Sequence, residues 1–354
     1  MTRLLTYPEI DPQQWQALVE QSSYATWFQT KEAYAFYASL PEEMMPFAYG
    51  IEREGELRAV LIGYITCEKN VLKQYFTRRA IIIGGPLLAE DISDEALTAL
   101  LLVVTNTSRL SPSGVPGKVR DFVGCSFASR LQNPIYIETR NFNDYSRWKS
   151  VFEANGFAYQ PHYDIHVHCN AQHQMSDRRQ RELKRAIKNG ATVAMAQSEQ
   201  EIRDWYQILA KLYREKVRTP LFSEEFFLQF YRNGVGKYFL VKHAGKVIGG
   251  MMCPVLEGKA LYEWYVCGLD EEYRELYPSV MATNAAIEYA KANHLPLFDF
   301  MGAGKPDEPY GVRDFKMEFG GELKEYGRFL CVRKSLLYAI GKFGVRYLKN
   351  KTNK

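Results

Sequence analysis

Phe298-Asp299-Phe300-Met301-Gly302-Ala303-Gly304, followed by Tyr310-Gly311-Val312-Arg313-Asp314-Phe315-Lys316-Met317-Glu318-Phe319-Gly320-Gly321, is the stretch on which the reading of the fold turns. It reads as a buried strand, a Gly-rich loop, and a second strand closed by a Gly-Gly turn. Phe315, Met317 and Phe319 alternate with Asp314, Lys316 and Glu318. That is the two-residue period of a strand with one apolar and one charged face. Lys316 is thereby expected on a strand beside a loop of small residues, positioned to meet a ligand.

Upstream of this stretch the chain shows the same plan twice. Residues 47–66 read as a hairpin, 80–88 as a buried strand, 94–110 as a helix and 135–138 as a strand. A second helix follows near 144–155, and a strand opens at Gly156-Phe157 and runs to about 169. In the second half, Tyr238-Phe239-Leu240-Val241-Lys242 and Val247-Ile248-Gly249-Gly250 flank a turn. A strand at 261–267, a helix at 279–292 and a strand at 296–301 follow. Two copies of hairpin, strand, helix and strand predict tandem α/β (α+β) domains of one kind, joined near 170–176. Residues 10–40 read as helical, and 111–118 as loop. The expected pieces are 1–172, 173–330, and a basic amphipathic helix over 331–354.

The 354 residues suit two domains, and a hydrophobic fraction of 46% supplies a packed core. The net charge is only +4, so anion binding must come from local clustering. The six cysteines form no Cys-x-x-Cys pair and sit mostly among apolar neighbours, as expected of buried thiols in a reducing compartment. The N-terminus does not read as a signal peptide, and no apolar run approaches a membrane span. The expected location is cytoplasmic.

Ser176 and Gly190 bracket a helix on which Arg181, Lys184, Arg185 and Lys188 fall at i, i+3, i+4 and i+7. This face is either solvated or a seat for phosphate. After Glu325 the chain has no acid, and its basic residues alternate with Leu336, Leu337, Ile340, Phe343, Tyr347 and Leu348. Such a helix either packs its apolar stripe on the domain or meets anionic lipid or RNA phosphates. His162, Asp164, His166 and His168 share one strand face, with His173 near; a polar strand face is expected there, and no metal. There is no Gly-x-Ser-x-Gly elbow and no phosphate-loop signature, and Gly302-Ala303-Gly304 lacks dinucleotide-fingerprint spacing, so hydrolase, kinase and dehydrogenase readings lack support.

The second half resembles the peptidoglycan-bridge aminoacyltransferases of the Fem family and related domains of the GNAT superfamily. The resemblance rests on Arg181 to Gly190, on Tyr213-Arg214-Glu215-Lys216 with Phe226-Phe227, and on Tyr277-Pro278-Ser279 leading a helix. It rests also on Phe298-Asp299-Phe300 and on Phe315-Lys316 with Phe319-Gly320-Gly321. The first half fits more loosely, through Trp27-Phe28-Gln29-Thr30, Gly85-Pro86 and Gly156-Phe157. The resemblance implies two GNAT-like domains, each a mixed, mostly antiparallel sheet flanked by helices. It implies a transferase of peptidoglycan or other cell-envelope biosynthesis, carrying an aminoacyl or acyl group to an amine of a precursor. The donor would be aminoacyl-tRNA, a co-substrate, with no cofactor; the acceptor would be a nucleotide- or lipid-linked precursor. Lys316, in its Phe315-Lys316 pair, would stabilise the oxyanion, and Asp299 would orient the amine or relay its proton. Arg181, Lys184, Arg185 and Lys188 would hold phosphate. Tyr310 and Arg313 would contact the acceptor, and Tyr277, Glu263 and Trp264 would line the substrate site.

Two departures stand out. No lysine lies in register near Tyr34-Ala35-Phe36-Tyr37 for a nucleotide acceptor, though Lys31 is close. Glu275-Leu276-Tyr277-Pro278-Ser279-Val280-Met281 replaces the glycine-bearing pyrophosphate loop of CoA-dependent relatives. Two alternatives stay open. One is an acyl-CoA-dependent enzyme acting on an amino sugar of a surface polysaccharide. The other is a non-catalytic RNA- or membrane-binding module of the same fold. For the enzyme itself, peripheral contact with the inner face of the membrane through the basic tail stays open.

Overall fold

The computed structural model describes residues 2–105, 134–169 and 174–351. The loop expected at 111–118, Cys125 and His173 lie outside the described residues. Two compact units emerge: residues 1–161 with 326–354, and residues 162–325.

The chain begins with Thr2–Thr6 (β1), Pro12–Gln21 (α1) and Lys31–Ala38 (α2). Asp11 caps α1 by accepting from the amides of Gln13 and Gln14 at 3.0 and 2.8 Å, and Pro12 sits where no amide is needed. The helix expected over 10–40 is therefore two helices. Between them Trp27–Gln29 forms a short 3-10 turn, and the side-chain amide of buried Gln29 donates to the carbonyls of Gly84 and Gly85 at 3.0 and 2.9 Å. The long hairpin Met44–Arg53 (β2) and Glu56–Thr66 (β3) follows as expected, then Val71–Thr77 (α3). The strand expected over 80–88 is split at Gly84-Gly85 into Ala80–Ile83 (β4) and Leu87–Leu88 (β5). Asp94–Thr105 (α4), Tyr136–Arg140 (β6), Lys149–Ala154 (α5) and Ala158–Gln160 (β7) complete this passage.

The second unit holds Tyr163–His168 (β8), Asp177–Lys188 (α6), Thr192–Met195 (β9), Glu199–Leu212 (α7), Glu224–Arg232 (α8) and the hairpin Gly236–His243 (β10) with Lys246–Leu256 (β11). Ala260–Tyr262 (β12), Tyr265–Gly268 (β13), Pro278–Ala292 (α9), Leu297–Asp299 (β14), Gly311–Met317 (α10) and Glu322–Glu325 (β15) follow. The chain then returns to the first unit as Arg328–Val332 (β16) and Ser335–Lys351 (α11).

Each unit is a mixed sheet flanked by helices. The first runs β1-β2-β3-β4-β6-β16-β7, with β5 on β3; the second runs β15-β8-β14-β12-β11-β10-β9, with β13 on β11. In each, one pair is parallel, β4 with β6 and β12 with β14, and the others are antiparallel. A helical crossover joins each parallel pair, which is why the hairpin–strand–helix–strand pattern recurs.

The expected boundary at 172/173 falls instead at Pro161/His162. The strand read as one from 156 to 169 is two: β7 pairs with β16 in the first sheet, while β8 lies between β14 and β15 in the second. The piece expected to end at 330 loses β16, which pairs with β6 and β7. In the first core Phe329 of β16 stacks on Phe152 at 4.0 Å. In the second, Ile165 and Val167 of β8 pack with Phe298, Phe300 and Phe319.

Candidate active site

The opening stretch departs from expectation at its second half. Gly311–Met317 is a helix, not a strand. The alternation of Phe315, Met317 and Phe319 fits both periods, because Phe315 and Phe319 are also i and i+4. Their rings meet at 5.2 Å, while Met317 is exposed. Gly320, at φ +80°, takes the left-handed conformation that ends the helix. The helix turns Lys316 inward, and it is buried.

Lys316 Nζ lies 3.0 Å from Glu263 Oε1 and donates to the carbonyls of Phe300 and Gly302 at 2.7 and 2.8 Å. Those three partners match the three N–H donors of an ammonium. Its carboxylate partner is Glu263, not the neighbouring Asp314 or Glu318. Glu263 sits in the break between β12 and β13, where its amide donates to the carbonyl of Asp299 at 2.8 Å. Burial pushes its carboxyl up, against the attraction of Lys316.

Asp299 ends β14. Its Oδ1 accepts from the Met301 amide at 2.6 Å, and Asp164 Oδ1 accepts from the amides of Ile165 and Gly302 at 2.7 and 2.9 Å. With both Oδ1 atoms fixed by backbone, both Oδ2 atoms turn toward His166 Nε2, at 3.4 Å for Asp299 and 3.8 Å for Asp164. The pairing of β8 with β14 sets this up, since Asp299 lies opposite His166. Burial alone would push His166 down; the charges of Asp299 and Asp164 beside its ring reverse this and raise it to about 10. Burial, with the Asp164 charge, lifts Asp299 to about 7 against the pull of His166. Among the described residues these three donor atoms converge within 4.8 Å and could hold a divalent cation. A cation would compete there with the proton that His166 binds so strongly.

The histidine face is thus only partly as expected. Asp164 and His166 are buried in this cluster, while exposed His168 faces Glu322 at 3.4 Å. The alternation from Tyr163 to His168 was the available signal, but nothing local in it points to Asp299. Arg179 was also missed. It is buried, pairs with Glu182 and with Glu318 at 2.7 Å, and lies over the Phe315 ring at 4.4 Å, so it fixes the Lys316 helix.

The other expected site residues divide. Arg313 donates to the Ala303 carbonyl at 2.7 Å and also reaches the carbonyls of Lys305 and Glu308, so it clamps the Gly-rich loop. Tyr310 is exposed and lies against Gly304, whose φ is +79° and where a Cβ would come within 2.8 Å of the Tyr310 ring. Half-buried Trp264 packs edge-on to Phe226 and Phe230 in an aromatic cluster.

Arg181, Lys184, Arg185 and Lys188 are exposed on α6, which Ser176 caps and Gly190 follows at φ +86°. Arg185 pairs with Glu275. Glu182, the acid on the same helix, is taken by Arg178 and Arg179. Tyr277 precedes α9 at φ +42°, and Pro278 begins the helix without an N–H. The Ser279 amide and hydroxyl both donate to the Asp270 carboxylate, the amide at 3.1 Å. A carboxylate therefore already occupies the positive end of α9.

Residues 173–316 match the family described as "Acetyltransferase (GNAT) domain". Glu263, Asp299 and Lys316 lie inside that match, and Asp164 and His166 lie before it. No curated protein matches. Among solved structures, FemX shares the fold at a TM-score of 0.64 and 14% identity, over 94% of this chain and 98% of that one. L-PGS from Bacillus licheniformis does so at 0.55 and 11%, over 94% and 96%. A tandem GNAT protein from the clavulanic acid biosynthesis pathway does so at 0.54 and 8%, over 93% and 98%. Residues 173–316 are therefore a GNAT-type acyltransferase domain, carried in a chain that shares the fold of FemX.

Proposed function

We propose that this acyltransferase moves an aminoacyl group from aminoacyl-tRNA to an amine of a cell-wall or other cell-envelope precursor. The observation that carries the choice of donor is the start of α9. In CoA-dependent relatives that helix end receives a pyrophosphate; here Pro278 removes one amide and Asp270 holds another, so a pyrophosphate would meet a negative charge. Exposed Arg181, Lys184 and Lys188, with no acid among the described residues within salt-bridge distance, supply the cationic face that tRNA phosphates would use.

In this reading the amine attacks the ester carbonyl, a C–N bond forms, the ester C–O bond breaks, and the released ribose oxygen takes a proton. The attacking amine must lose a proton. Asp299, held at about 7, is the group of the cluster poised to accept it near neutral pH. The fixed charge of Lys316 stabilises the oxyanion through space, because its three N–H groups are already taken by Glu263 and the carbonyls of Phe300 and Gly302.

The test is binding of bulk charged tRNA at two salt concentrations, with acetyl-CoA titrated in parallel. We expect micromolar tRNA binding that weakens steeply with salt, and no saturable CoA binding. CoA binding without tRNA binding would transfer the protein to acyl-CoA-dependent modification of an amino sugar.

A further inference from the structure

The tail of the chain settles in an unusual way. Eight Lys and Arg residues and no acid follow Glu325. On α11, Leu336 and Phe343 are 74% and 73% exposed, more than any other large apolar side chain among the described residues, and Ile340 is 52% exposed. Their spacing of four and three puts them in one stripe along the helix, and Tyr347 continues it in the sequence.

The stripe is not left outward for want of an anchor. The Tyr338 ring meets Tyr136 of β6 edge-on at 5.5 Å, and Lys334 lies 5.2 Å over the ring of Tyr75. Tyr338 is about opposite Leu336 and Phe343 around the helix, so the side that docks is not the side with the apolar stripe. Tyr75 and its neighbour Phe76 on α3 are themselves exposed and add aromatic surface beside the start of α11. Lys342 lies 5.8 Å over the Tyr338 ring, on the docked side, and Arg346, Lys349 and Lys351 follow in the sequence, Arg346 three residues after Phe343 and Lys351 four after Tyr347.

We infer that α11, with Tyr75 and Phe76, docks in the plane of an anionic lipid bilayer. Leu336, Ile340 and Phe343 would enter the acyl-chain boundary, and the flanking cations would meet lipid phosphates. The charge argues against the other occupants. Pairing two copies through this face would set cations against cations, and an RNA would use the cations and leave the apolar stripe in water. No helix among the described residues is long and apolar enough to cross a membrane, so the contact is peripheral. The inference stands apart from the choice of acyl donor.

The experiment is co-sedimentation of the full chain with phosphatidylcholine vesicles, with and without phosphatidylglycerol, beside a triple variant, Leu336→Ser, Ile340→Ser and Phe343→Ser. These side chains are exposed, so the variant should keep the wild-type thermal transition, which is measured in parallel. We expect binding that prefers the anionic vesicles by about tenfold or more and that falls about tenfold in the triple variant. Arg346→Glu should weaken it less and reduce its salt dependence. Failure to bind anionic vesicles overturns the inference, as does binding that the triple variant retains. A concentration-dependent dimer abolished by the same three changes also overturns it, by assigning the stripe to a second copy.

Discussion

Lys316 is a buried cation whose three N–H donors are matched by one carboxylate and two carbonyls. Removing it does two things, and they can be separated. Lys316→Met strands Glu263 as a buried charge, which costs about 3–5 kcal/mol. Adding Glu263→Gln removes that charge. We predict that the double variant regains most of the thermal stability lost by Lys316→Met but remains at least about a hundredfold down in turnover. Recovery of both together would reduce Lys316 to a structural role. His166 gives a second prediction. Its folded value, about 10, lies above its ordinary value of 6.5, so its contribution to stability is complete below pH 6.5 and is lost as pH rises toward 10. His166→Gln should be less stable at pH 6 and should lack the decline between about 6.5 and 10 in a pH series of melts. An unchanged decline would place its origin elsewhere.

Single elements show where local pattern suffices and where it fails. The helix at 177–188 was legible to its ends because Ser176 and Gly190 are local signals that act through the backbone next to them. The hairpins were legible for the same reason. The segment at 311–317 was not: apolar residues at 315, 317 and 319 satisfy a strand, and two of the three satisfy a helix. Packing decided between them. Only the helix turns Lys316 to the carbonyls of Phe300 and Gly302 while Phe315 lies under Arg179. The strand expected at 261–267 breaks at Glu263 and Trp264, where β11 exchanges β12 for β13 as its partner. That break brings Glu263 to Lys316, and no turn residue in the sequence announces it.

At the scale of the molecule each sheet borrows a strand from beyond its own repeat. After β7 the chain supplies β8 to the second sheet, and after β15 it supplies β16 to the first. β16 is interior, between β6 and β7, and Phe329 carries it into the core. Ending the chain after Glu325 should therefore unfold the first unit, seen as loss of a cooperative thermal transition and of solubility. Ending it after Lys334 should leave the fold intact, because α11 adds little to the core. Equal stability of the two truncations would contradict this topology.

The sequence by itself determined the two-unit plan, the hairpins, the capped basic helix and the nearness of Lys316 to a Gly-rich loop. These are set by periodicity, capping and turn chemistry, which act over a few residues. Tertiary structure alone decided that β8 and β16 change sheets, because the strand hydrogen bonds that place them are made by a backbone common to all residues. It alone gathered Asp164 and His166 of β8 against Asp299 of β14, and Glu263 against Lys316. The properties that make that cluster chemically interesting come from burial and from neighbours distant in sequence, so no local pattern could state them.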